Sequence, residues 1–389
     1  VYKDLARFAA VGLALQDEST VESMDEKLRR EVKEVLAALS ARGGAVKVLF
    51  FELPFMPERL RPASFYGKAE ELRGYFAARR WYALCDFRAK SKEETARALR
   101  LALMIEGDPQ LSALYSSLTL PYDALLGPCE DGDVRRYASI AREVFGEEPT
   151  ENDVDAKMGA FCKALGDLPD PLVNDQWLLP EQYENFAEET KGFRLLPPRR
   201  LPSTVLFQNT VDPLVKGRMF ASGIDFFAVG PLASEAGRRA LHAAVAGDQL
   251  AQAILTARTS SLPDSLHGQA LRLLTLLQEA LPATAPAPLR TSAWQDKQLW
   301  TQLGAWAEQR HTWALHTKLT VHYMGLTRER PGMVSPYPEF FSGLGQLAGA
   351  TAEVLSQHTG DEVIDTRGTG QELLELTKLV DRLRANSGL

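Results

Sequence analysis

Cysteine is scarce in this chain, with three in 389 residues, at Cys85, Cys129 and Cys162, and no CxxC pair. A zinc site is therefore not expected. Two readings of the thiols stay open: one disulfide with a spare, or three free core cysteines. A run of about 18 apolar residues is also missing, so no membrane-spanning segment is expected. There is no dense Lys/Arg block, and 44 basic against 51 acidic residues leave a formal charge of −7. Both features argue against nucleic acid and an anionic membrane surface as partners. A solvated acidic surface is the plainest account of the charge. Catalytic signatures are lacking too: no Walker loop, no GxGxxG after a strand, no GxSxG and no HExxH. Glu130 and Asp131 in "GPCEDGD" sit beside turn residues, without the ligand spacing that calcium requires. No cofactor and no metal is expected. The chain opens "VYKDLARFAAVGLAL" with neither Met nor a basic n-region, which reads as a processed or truncated product.

What the chain has in abundance is helical periodicity. "MDEKLRREVKEVLAALSARGG" repeats Leu28, Val32, Val35, Leu36 and Leu39 and stops at a Gly pair. "SKEETARALRLALMIEG" has Ser91 as N-cap and Glu94 as its capping-box partner. "TENDVDAKMGAFCKALG" runs from a Thr150 cap to a Gly166 stop, and further amphipathic stretches end with "QELLELTKLVDRLRA". Strand signals are confined to 45–53 and 223–230, each either a short strand or a buried helix turn. The expected fold is all-α, an irregular array of helices in two lobes. The lobes would be 1–170 and 203–389, joined by a Pro-rich connector over 171–202 where helix cannot run on.

Four of the six tryptophans and three of the six histidines fall in residues 292–325. Read as one helix at about 100° per residue, this segment places Leu299, Leu303, Trp306, Arg310, Trp313, Val321 and Met324 on one arc. Apolar residues elsewhere around it predict a central helix buried on most sides. Arg310 on that apolar arc needs a carboxylate, and Asp225 is the first candidate. His311, His316 and His322 are spaced by five and six residues, so they cannot converge on one metal ion.

"RTSAWQDKQLWTQLGAWAEQRHT" resembles the hallmark of the bacterial domain-of-unknown-function 3160 family, W-x-D-K-x-L-x-T-x-L-G-S-W-A-x-L-R-H-D-T. The matches are Trp294, Asp296, Lys297, Leu299, Leu303, Gly304, Trp306, Ala307, Arg310 and His311. "RMFASGIDFFAVG" is similar to a second block, through Arg218, Gly223, Asp225, Ala228 and Val229. The resemblance implies a mainly helical protein, extracytoplasmic (exported or lipoprotein-like), and brings no agreed activity. The departures also matter. Where the family reads P-R-G-H-Y the chain has Pro62–Tyr66, with Phe65 at the His. Where it reads P-D-S the chain has Pro202, Ser203 and Thr204, and Thr312 stands at the Asp of R-H-D-T. Four ionisable side chains are gone from three blocks. Either a polar site was lost, in which case the three segments should meet in space, or structural salt bridges were rewired.

The leading functional reading is a non-catalytic extracytoplasmic scaffold or interaction protein, with a protein partner in a larger assembly. A periplasmic hydrolase would use His311 with Arg310 and Asp225 or Asp296. A glycan- or small-molecule-binding module would use aromatic platforms, with Trp300, Trp306, Trp313, Phe65 and Tyr66 as binding candidates and Trp81 as an alternative platform.

Overall fold

The computed structural model describes residues 1–321 apart from 42–43, 148, 246 and 279–282, together with 378–382 and 385. His322, Met324 and most of the "QELLELTKLVDRLRA" stretch lie outside the described residues. Residues 1–324 form one compact unit and 325–389 a second, of which 378–382 are helical.

The fold is mainly α. In chain order the helices are α1 (Tyr2–Gln16), α2 (Glu26–Ser40), α3 (Glu70–Leu84), α4 (Lys92–Gly107), α5 (Pro109–Leu126), α6 (Val134–Phe145) and α7 (Glu151–Gly166). Two short turns follow, α8 (Pro180–Tyr183) and α9 (Phe186–Thr190). The series closes with α10 (Pro202–Asn209), α11 (Gly223–Ala228), α12 (Glu235–Ala244), α13 (Asp248–Leu255), α14 (Leu266–Thr275) and α15 (Ser292–Thr312). The caps explain the starts. Asp25 accepts from the Leu28 N–H at 3.0 Å, and Thr150 and Asp153 close a reciprocal capping box on α7. Ser91 caps α4, but Glu94 does not return the bond. Its carboxylate is buried and accepts instead from the Glu52 and Arg88 backbone N–H groups, because Arg88 sits beside it.

Of the two runs open to a strand or a buried helix turn, the second resolves as buried helix and the first as neither. Residues 223–228 are helix α11, and 45–53 is irregular, with one bridge from Val46 to Phe55. The sheet that does form is tiny: β1 (Phe87–Arg88) pairs antiparallel with β2 (Gly192–Phe193), Phe87 opposite Phe193 and Arg88 opposite Gly192. A Cβ on Gly192 would fall 2.2 Å from the Phe87 carbonyl oxygen and 2.8 Å from Asp86 Oδ1. Only glycine lets the strands cross there.

Apolar packing divides by sequence. One core cluster draws on residues 5–193 and centres on Phe8, Trp81, Phe87, Tyr137, Phe161 and Phe193. A second, drawn from 206–306, gathers Leu206, Phe226, Phe227, Leu271, Leu299 and Trp306. The Pro-rich stretch between them contributes buried Val173, Asn174, Asp175, Arg194 and Arg199 to the first unit.

The Trp-rich helix departs from expectation in length and burial. It ends at Thr312, a short 3-10 turn covers Ala314–His316, and the chain then runs extended. The cause is a backbone clasp: the Arg199 N–H donates to the His316 carbonyl at 2.7 Å and the Lys318 N–H to the Arg199 carbonyl at 2.8 Å. Of α15 only Leu299, Gln302 and Trp306 are buried, so it packs by one face. Gly223 sits under Trp306, where a Cβ would come within 2.8 Å of the indole.

Candidate functional site

The residues expected to carry chemistry are dispersed. Asp225 is wholly buried, but Arg218 occupies it through a fork of two bonds at 2.7 and 2.8 Å, and the Ser222 N–H adds a third. Arg310 therefore does not pair with Asp225. It donates to the Ser203 hydroxyl at 2.8 Å and the Thr204 hydroxyl at 3.2 Å, and lies over the Phe207 and Trp306 rings at 5.0 and 5.9 Å. Burial lowers its pKa to about 10. Asp296 pairs with Arg239 at 2.7 Å. It stands fifteen residues from His311 on the same helix, roughly 22 Å by helical rise. His311 is exposed, with the Phe65 ring edge-on at 6.2 Å. His316 is buried and stacked on Tyr122 at 4.1 Å, so the two histidines face different surroundings. Among the described residues no group of three or more His, Cys, Asp or Glu is placed to hold a metal ion.

The aromatic candidates also separate. Trp306 is a core residue, against Phe207, Phe226 and Phe227, and cannot present a platform. Trp81 is wholly buried, its indole N–H donating to the Phe8 carbonyl at 3.0 Å. Trp313 is half-buried, whereas Trp300 is 59% exposed. Phe65 stacks on Tyr66 at 4.2 Å. The three altered blocks do approach one another: Ser203 bonds Arg310, Phe65 touches His311, and Thr312 follows in the chain. All three cysteines are free thiols.

Three features were not singled out from the sequence. The first is a sealed charge network. Arg194 is fully buried and forks onto Asp175 at 2.7 and 2.8 Å, with Asp86 and Asp131 at 3.6 and 3.7 Å. Lys318, equally buried, donates to Glu130 at 2.9 Å and Asp131 at 2.7 Å. Burial opposes ionisation of Asp175, yet Arg194 and Lys318 hold its carboxyl well below the usual range. For Asp86 burial wins over Arg194 and pushes the carboxyl up to about 8. Both Asp86 oxygens and the Tyr137 hydroxyl lack a hydrogen-bond partner. A void of about 10 Å³ bounded by Asp131, Tyr137 and Gly192 has room for roughly one water. The network ties residues 86, 131, 175, 194 and 318 together, and its burial gives it the character of a structural clamp.

The second feature is a group of arginines and tyrosines. Arg79 donates to the Leu196 carbonyl at 2.5 Å and Arg80 to the Ala314 carbonyl at 3.0 Å, and no carboxylate among the described residues bridges either. Burial lowers both to about 10. The Tyr75 and Tyr122 hydroxyls lie 3.2 Å apart, and Tyr66 packs on Tyr75 and Phe76 with ring centroids at 6.4 and 5.3 Å. Burial lowers His316 to about 3, helped by Arg79, Arg80 and Arg199.

The third is the outer face of α5. Its exposed positions are Pro109, Gln110, Leu111, Ala113, Leu114, Ser117, Leu118, Leu120, Pro121 and Ala124, with no charge among them. The helix carries one ionisable carboxylate, Asp123, taken by Arg135 and Arg199. The neighbouring α14, which packs on α5, adds exposed Leu266 and Leu273. A separate cleft of about 330 Å³, lined by Tyr183, Phe186, Val205, Gln208 and Leu214, holds none of the expected site residues.

Compared with known proteins, the chain matches the family described as "Protein of unknown function (DUF3160)" over residues 1–387. No curated protein and no solved structure matches it.

Proposed function

The chain belongs to the DUF3160 family, and from that premise we propose that it is a non-catalytic helical interaction protein. It docks a protein partner on the outer face of α5, outside the cytoplasm as the family resemblance implies. The observation that carries this reading is the charge-free, leucine-rich surface of an 18-residue helix, with Leu114 61% and Leu118 56% exposed. Solvated helices place charged residues on the outer face, and a contiguous exposed apolar face marks an interaction surface. The hydrolase alternative finds less support. His311 needs a carboxylate to act as a base, and the two proposed for it are held by Arg218 and Arg239.

The test is a pull-down from the native source with the tagged chain and its Leu114→Glu/Leu118→Glu variant. A discrete co-purifying protein that the double variant loses, while its thermal midpoint stays put, supports the proposal. Equal recovery with both chains contradicts it.

A further inference from the structure

We infer that the group formed by Arg79, Arg80, Tyr66, Tyr75 and His316 binds a small oxyanion, a carboxylate or a phosphate group. This does not depend on the α5 surface.

The argument starts from charge. Four other buried cations have bonded carboxylates: Arg88 has Glu52 and Glu94, Arg194 has Asp175, Arg199 has Asp123 and Lys318 has Glu130 and Asp131, whereas the less completely buried Arg59 and Arg310 have none. Arg79 and Arg80 are 6% exposed each and have only one carbonyl acceptor apiece. A guanidinium offers five N–H donors in a fixed fork that matches a carboxylate or phosphate. Desolvating it without a counter-charge is costly.

The surroundings suit an anion. Tyr66 makes no hydrogen bond within the described residues, so its hydroxyl has a proton to donate. Tyr75 and Tyr122 share one hydrogen between them, which leaves the other hydroxyl hydrogen available. His316 stacks on Tyr122 and lies 6.3 Å from Tyr75. The third arginine nearby, Arg199, is neutralised by Asp123 at 2.5 Å and adds no free charge. Two buried cations without a bonded carboxylate thus lie by phenolic donors and aromatic rings, and the one carboxylate whose charge reaches Arg80, Asp175, is already forked by Arg194.

The experiment is calorimetric titration of the full chain with inorganic phosphate and, separately, with acetate, at matched ionic strength. Saturable binding of either anion is expected, and which one binds identifies the group. Tyr66→Phe keeps the ring and removes one donor, so it should weaken binding by about 2- to 10-fold. Arg80→Gln should abolish it. If Arg80→Gln does not fold, Tyr66→Phe decides the matter. Absence of saturable binding by both anions, or titration of Tyr66→Phe like the wild type, overturns the inference.

Discussion

Arg310 donates to the Ser203 hydroxyl at 2.8 Å, across 107 residues of chain, and no carboxylate among the described residues takes its charge. Ser203 stands where the family pattern has Asp. A carboxylate in its place would meet the guanidinium directly.

Ser203→Asp is therefore expected to stabilise the protein, by about 1–2 kcal/mol for a charge-assisted bond replacing a neutral one. Chemical denaturation of the two proteins side by side checks it, and an unchanged or lower midpoint for the variant counts against the pairing.

For the same reason Arg310→Ala should cost less than the loss of a buried ion pair. Two hydroxyl bonds and two ring contacts amount to about 1–3 kcal/mol. A loss above about 4 kcal/mol would mean that a carboxylate does reach Arg310.

Arg194→Met should behave very differently. It leaves Asp175, Asp131 and Asp86 buried around a vacated cation, and removing one partner of a buried pair costs about 3–5 kcal/mol. A variant within 1 kcal/mol of wild type, by urea unfolding, would show that the network is not a clamp.

The pH dependence follows from two opposed groups. The Asp86 carboxyl is raised to about 8 in the fold, so its contribution is fully present below its unfolded value near 4 and is lost as pH rises through about 8. His316 is depressed to about 3, so its contribution is present above 6.5 and is lost as pH falls towards 3. Asp86→Asn should gain on wild type as pH climbs from 5 to 9, and His316→Gln should flatten the acid limb. Parallel stability curves for wild type and Asp86→Asn would contradict the first assignment.

The helices were legible because cap and periodicity agree locally, as at Ser91 and Thr150. Periodicity overran the end of α15 because what stops it is distant: Arg199 clasps His316 and Lys318, and Glu130 with Asp131 draws the Lys318 ammonium inside. The "GPCEDGD" carboxylates read as a solvated loop for the same reason, since their partners are 187 and 188 residues away. Arg310 was legible as a cation on the apolar arc and the structure half-buries it, but its partner was not legible, because Arg218 takes Asp225 at a separation of seven residues. The α5 face did leave a signal in "PQLSALYSSLTLPYDALL", eighteen residues with a single charge.

The most direct measurement of the central claim is site-specific photo-crosslinking in the native host. A photoreactive residue at Leu118 should yield one discrete protein adduct, while the same residue at exposed Glu34 on α2 yields none. Adducts absent from position 118, or equal at both positions, would contradict the assignment of the α5 face as the docking surface.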